Sequence, residues 1–258
     1  MRLMKRILSA AAVLALSASL LVGCSSGTAS SVPVSASSAA ESTVSSVEET
    51  ASSAVDENAA AAAQLLNDLT GSYQELWPVI LADEYKQTWL DDCTALVGEE
   101  NAEAAFEKLS SMVTSDVYGE DAVKAYANGG GAYFCGFTNS LATLTFDGET
   151  STISGTDKDG NVLFSHTYHY IGMEPVHGLY EFESDDADSG EFTYFFLAPD
   201  TSAETYHIEF RYGSDAEALS QYDAGEYAYW VASGISTDCD QTMIDNCIEL
   251  FCTENLAG

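Results

Sequence analysis

Apolar positions along this chain recur with two different periods. In the first half they fall three and four apart. "ENAAAAAQLLNDL" is alanine-rich, and "TGSYQELWPVILADEYKQTWLDD" puts Tyr73, Leu76, Trp77 and Ile80 on one helical face. Pro78 lies inside that stretch and predicts a kink or a restart. "NAEAAFEKLSSMV" predicts a further helix with Asn101 as its N-cap. The glycines at 129 to 131 end this pattern, and the period then drops to two. "AYFCGF", "LATLTF", "TSTISGT", "NVLFSHTYHYIG", "GLYEFES", "EFTYFFLA" and "TYHIEFRYG" are rich in Tyr, Phe, Thr and Ile, and turn chemistry separates them. Short connections between successive strands imply an antiparallel meander, and seven or more such strands favour a barrel or sandwich. "YAYWVAS" is a closing strand. "STDCDQTMIDNCIELFCTENL" is a terminal amphipathic helix with Met243, Cys247, Ile248 and Phe251 on its buried side. The expected fold is mainly β with flanking helices: an antiparallel barrel or sandwich with N-terminal helices and a C-terminal helix.

The first 23 residues, "MRLMKRILSAAAVLALSASLLVG", have a basic start and a short apolar run, which predicts a secretory signal. Leu21-Val22-Gly23-Cys24 resembles a bacterial lipobox, so Cys24 is the expected lipidation site. That places the protein outside the cytoplasm, held to the membrane by an acyl anchor and not by a spanning helix. Residues 24–58 are Ser, Ala, Thr, Val and Glu with almost no aromatics, the composition of a flexible tether. Residues 59–258 make up one domain of ordinary size.

Charge narrows the partners. Beyond the signal only Lys86, Lys108, Lys124, Lys158 and Arg211 stand against 41 Asp and Glu. Such a surface repels nucleic acid and anionic lipid, so neither is an expected partner. Cys93, Cys135, Cys239, Cys247 and Cys252 follow Cys24; export permits disulfides, but an odd count leaves at least one thiol unpaired. No CxxC pair argues for a thiolate zinc cluster, and connectivity is not readable from spacing.

Catalytic signatures are missing. The chain has no GxSxG, no HExxH and no glycine-rich phosphate loop, and an enzyme is not expected. "DDADSG" (Asp185 to Gly190) and "DKDG" (Asp157 to Gly160) alternate oxygens as calcium loops do, but they lack the distal glutamate and sit where hairpins need turns. The histidines are more informative. His166, His169, His177 and His207 all fall in the strand-rich half, and a meander brings His169, His177 and His207 to one rim. His166 and His169 face opposite sides of their strand, so at most one joins an interior site. His207 and Glu209 share a face, and imidazole with carboxylate suits zinc.

"LNDLTGSYQELWPVI", "HTYHYIG", "LYEFES…GEFTYFFLAP" and "YHIEFRYG", in that order, resemble the ZinT (YodA) family. That resemblance covers about Leu65 to the C-terminus. It implies a lipocalin-like (calycin) barrel, Zn(II) as ligand, and support of a zinc ABC transporter through its binding protein. The same domain closes some zinc-binding lipoproteins of the AdcA type. The family holds zinc mainly by three histidines, two of them a His-x-His pair on the strand matching 204–212. His207 fits one position of the pair, and Thr205 or Glu209 takes the other, depending on alignment. Phe195 stands near the third histidine's place, within "TYFFLAP", and no histidine-rich loop is present. The resemblance thus implies a site from His207, Glu209 and a substitute from His169 or His177, with water completing the shell. A lipocalin-like surface protein that binds a small ligand or a partner without metal is the alternative reading.

Overall fold

The computed structural model describes residues 57–198 and 207–256; the signal segment, Cys24, most of the tether and the stretch 199–206 lie outside the described residues. Eight strands form one closed barrel: β1 (Gly71–Glu75), β2 (Thr143–Asp147), β3 (Thr152–Thr156), β4 (Val162–Met173), β5 (Tyr180–Ser184), β6 (Tyr194–Leu197), β7 (His207–Gly213) and β8 (Ala232–Ser236). Each pairs antiparallel with the next in sequence, and β8 closes on β1. This is the lipocalin-like up-and-down order that the short turns predict. Seven helices accompany it among the described residues: α1 (57–68), α2 (Leu76–Ile80), α3 (Lys86–Val97), α4 (Glu99–Ser111), α5 (Glu120–Ala127), α6 (Ala216–Leu219) and α7 (Gln241–Leu256).

Three local expectations differ from what the chain does. "GSYQE" is β1 and not a helix; its ladder bonds run to β2 and β8, far away in sequence, and they outweigh the local helical spacing. Pro78 then sits within the first turn of the five-residue α2, where its missing N–H costs nothing. "AYFCGF" joins no ladder: Phe134 makes only isolated bridges to Thr114 and Trp230. Asn101 does not cap its helix. That helix begins at Glu99, and the Asn101 side chain donates to the Val97 carbonyl.

Side chains alternate across every strand, so one set fills the barrel. Leu144, Phe146, Ile153, Phe164, Tyr168, Phe182, Phe195, Phe210 and Tyr212 belong to one buried cluster. Phe195 packs at ring distances of 5.4 Å from Tyr168 and from Tyr212. An eight-stranded barrel is just wide enough for such side chains, and here aromatic rings take the space. Gly155 marks how tight that packing is, because a Cβ there would lie 2.4 Å from both Leu141 and Phe164 side-chain atoms.

A second cluster covers the outside of the barrel. Leu76, Trp77 and Ile80 of α2, Trp89 and Cys93 of α3, Leu109 of α4 and the inner face of α7 pack together with Ile235 of β8. On α7 the buried residues are Ile244, Cys247, Ile248, Phe251 and Cys252; Met243 is only half-buried. Trp89 donates to the Ile80 carbonyl at 2.7 Å and ties α3 to α2. Burying each large side chain of this layer contributes about 2 kcal/mol. The consequence for β7 is decisive. All seven of its residues are buried, because the barrel core lies on one side and helices and loops lie on the other.

A buried polar face on strand β7

Ile208, Phe210 and Tyr212 point into the barrel, so His207, Glu209 and Arg211 point outward under the covering layer. This polar face is not a solvated edge: His207 and Glu209 are each 6% exposed and Arg211 is 0% exposed.

His207 lies against Phe251 of α7, with ring centroids 5.7 Å apart. Burial lowers its pKa to about 3, so the imidazole is neutral at any physiological pH. The linkage follows directly. Unfolded, the ring takes up a proton below its ordinary pKa of 6.5; folded, it stays neutral down to about pH 3. The unfolded state binds more protons in that window, so stability falls as pH drops through it, by on the order of 1 kcal/mol per pH unit. Above pH 6.5 the group contributes no pH dependence. Urea midpoints at about pH 7 and about pH 5 should therefore diverge in the native chain, and by less in His207→Gln. Equal divergence in the two proteins would contradict this assignment.

Glu209 sits beside His207 on the same face, and its charge acts on the nearby thiols of Cys135 and Cys247, already pushed up by burial. From the sequence alone, the one arginine beyond the signal segment would pair with Glu209 or Glu204. The structure gives its guanidinium a different role, donating to the main-chain carbonyls of Leu219, Gln221 and Tyr227. Its face stacks on the Tyr222 ring, 4.2 Å from the centroid. Arg211 thus holds the 214–231 segment against the barrel wall. Glu204 lies outside the described residues.

His177 belongs to the same buried layer. Its ring lies 3.7 Å from that of Tyr222, and its Nδ1 is 3.3 Å from Glu174 Oε2 without the alignment of a hydrogen bond. Glu174 is fully buried at the end of β4. Burial opposes its ionisation, but hydrogen bonds from the main-chain N–H groups of His177 and Val176, with the His177 imidazole alongside, outweigh that and hold the carboxyl below its usual range. The charge of Glu174 acts on Arg211, so a buried cation and a buried anion share this wall.

His169 and His166 are placed otherwise. His169 is exposed, and its Nδ1 lies 2.7 Å from Asp185 just beyond β5, at the opposite rim from the 174–179 turn. His166 is on the interior-facing register and meets Asp186 at 2.8 Å. The acidic turn "DDADSG" therefore serves two histidines. "DKDG" closes its own turn, with Asp157 accepting from the N–H of Asp159 and Asn161. The structure thus brings His207 and Glu209 together and gives His169 and His177 their own carboxylates. Among the described residues, no three His, Cys, Asp or Glu side chains are grouped to hold a metal ion.

Register also locates Phe195. It pairs with Tyr212 and points inward, whereas Phe196 pairs with Arg211 and shares the outer side with His207. Positions 195 and 207 therefore lie on opposite sides of the barrel wall.

Two solved structures are similar to this chain. The chain is similar to the Zn(II)-bound ZinT-like domain of Streptococcus pneumoniae AdcA, with 16% identity over 71% of this chain and 89% of that one, at a TM-score of 0.44. It is also similar to Zn(II)-bound AdcA from the same organism, with 15% identity over 75% of this chain, at a TM-score of 0.40. The matched region spans 35% of that longer chain. No protein-family model and no curated sequence matches. Among the described residues no helix is long and apolar enough to cross a membrane.

Sequence reasoning missed Glu174, Tyr222 and the structural role of Arg211. The available signal was that Arg211 is the only arginine beyond the signal segment, on a strand whose other face is wholly aromatic and aliphatic.

Proposed function

We propose that this chain is an extracytoplasmic zinc-binding protein, tethered by a lipid on Cys24, that captures Zn(II) and supports its uptake by an ABC transporter. Binding and not catalysis is its activity. The observation that carries the reading is the pairing on β7 of a permanently neutral imidazole with a carboxylate. His207 is deprotonated by burial, and Glu209 follows two residues later on the same face. Zinc takes neutral nitrogen and carboxylate oxygen donors, and a ligand that needs no deprotonation binds without proton competition. His207 and Glu209 are the proposed protein ligands, with water completing the shell.

Calorimetric titration of the metal-free chain with zinc tests this. We expect saturable heat near one equivalent, and His207→Ala should weaken affinity at least tenfold, on the order seen for losing a group that supports a metal site. Affinity should also fall little between about pH 7 and pH 6, because the imidazole is already neutral. The absence of saturable heat, or unchanged affinity in His207→Ala, would overturn the reading.

One observation favours a second reading. A pocket of about 330 Å³ opens between α2 and the 113–136 segment, lined by Trp77, Pro78, Leu81, Val113, Phe134 and Cys135. A small apolar ligand would fit that lining. Thermal stability unchanged by chelators and by zinc would favour this reading over the first.

A further inference from the structure

We propose that Cys93 and Cys252 form a disulfide that locks α7 onto α3. Their Sγ atoms stand 3.9 Å apart, and both residues are fully buried in the helical layer. A disulfide needs about 2.05 Å between sulfurs, so forming the bond requires the two side chains to rotate toward each other. No other pair of the five thiols is in sulfur contact among the described residues. The two cysteines sit on helices that already pack together, α3 from the start of the domain and α7 from its end. The bond would close a loop of 159 residues, and cross-links over long loops restrict the unfolded chain most.

The chemistry needs an external oxidant, and a disulfide-bearing exchange partner of the exported compartment supplies it. The thiolate of one cysteine attacks a sulfur of that disulfide and expels one thiolate. The other cysteine gives its proton to solvent, attacks the mixed disulfide at the first cysteine and expels the second thiolate. Two electrons pass to the oxidant, which leaves as two thiols. Burial raises the pKa of both Cys93 and Cys252 and shuts the oxidant out of the folded layer. The bond therefore forms while α7 is still undocked, and once formed it resists reductants until the layer opens.

This inference rests on the export reading only for the source of oxidant. Two samples keep the two apart: the full chain expressed with export, and the same chain reduced, unfolded and refolded with oxidised glutathione. Each is alkylated in denaturant with N-ethylmaleimide, digested and mapped by mass spectrometry. The expected product in both is a cross-linked peptide pair containing Cys93 and Cys252, lighter by two hydrogens. Linkage in the refolded sample with both thiols alkylated in the exported one supports the pair and counts against export. Both thiols alkylated in the refolded sample, or Cys93 linked to another cysteine, overturns the proposal. Reduction in denaturant followed by refolding without oxidant should lower the melting temperature by about 5 to 15 °C. The same treatment should leave Cys93→Ala/Cys252→Ala unmoved, and an equal drop in that variant would also overturn it.

Discussion

Replacing Arg211 with methionine should cost about 3 to 5 kcal/mol of folding stability, read as a shift of the urea midpoint. The residue is fully buried, and its guanidinium satisfies three carbonyls of the 214–231 segment while stacking on Tyr222. Methionine matches much of the volume but leaves Leu219, Gln221 and Tyr227 without their donor and Glu174 without its counter-charge. Arg211→Lys should recover only part of the loss, because a single ammonium cannot reach carbonyls spread over that fork. Adding Glu174→Gln to Arg211→Met should return some stability by removing the stranded anion. A loss below about 1 kcal/mol would mean that the segment is held by other contacts.

Phe195→Ala should be comparably costly, at about 3 to 5 kcal/mol, because it empties the middle of a barrel filled by aromatic rings. Phe164, Tyr168, Phe210 and Tyr212 all meet Phe195 and cannot collapse far while the strands remain paired. The more pointed substitution is Phe195→His. On the family pattern it restores an imidazole near a ligand position. On the register found here, it buries one inside the barrel, across the wall from His207. The expected outcome is lower stability with no gain in zinc affinity. A gain of tenfold or more would show that the two positions meet at one metal.

The meander was legible because period-two alternation and turn residues act over a few positions and leave a local trace. The parity of His166 and His169 was legible for the same reason. Other features were set from far away. Tyr73 is the one buried residue of β1, and its three-residue spacing to Leu76 imitates a helix; only pairing with Leu144 and Ser236, both far away in sequence, makes it a strand. "AYFCGF" has strand composition, but the strands it would need as neighbours are already paired with each other. Alternation shows that one side of β7 is polar, but it records which residues differ, not what covers them. Over His207 the cover comes from α7, far away in sequence, and over Arg211 from the segment that follows β7. The carboxylate partners of His169 and His177 were likewise hidden among 41 acids, any of which the sequence would allow.

The central claim is that zinc binds His207. The chain has only four histidines, so [¹⁵N]histidine NMR can follow every imidazole at once. Adding one equivalent of zinc to the metal-free chain should shift the ring resonances assigned to His207 by their absence in His207→Ala. Those of His166, His169 and His177 should stay in place, since each keeps its carboxylate partner. A His207 signal that does not move, while zinc shifts another histidine or none, would contradict the account.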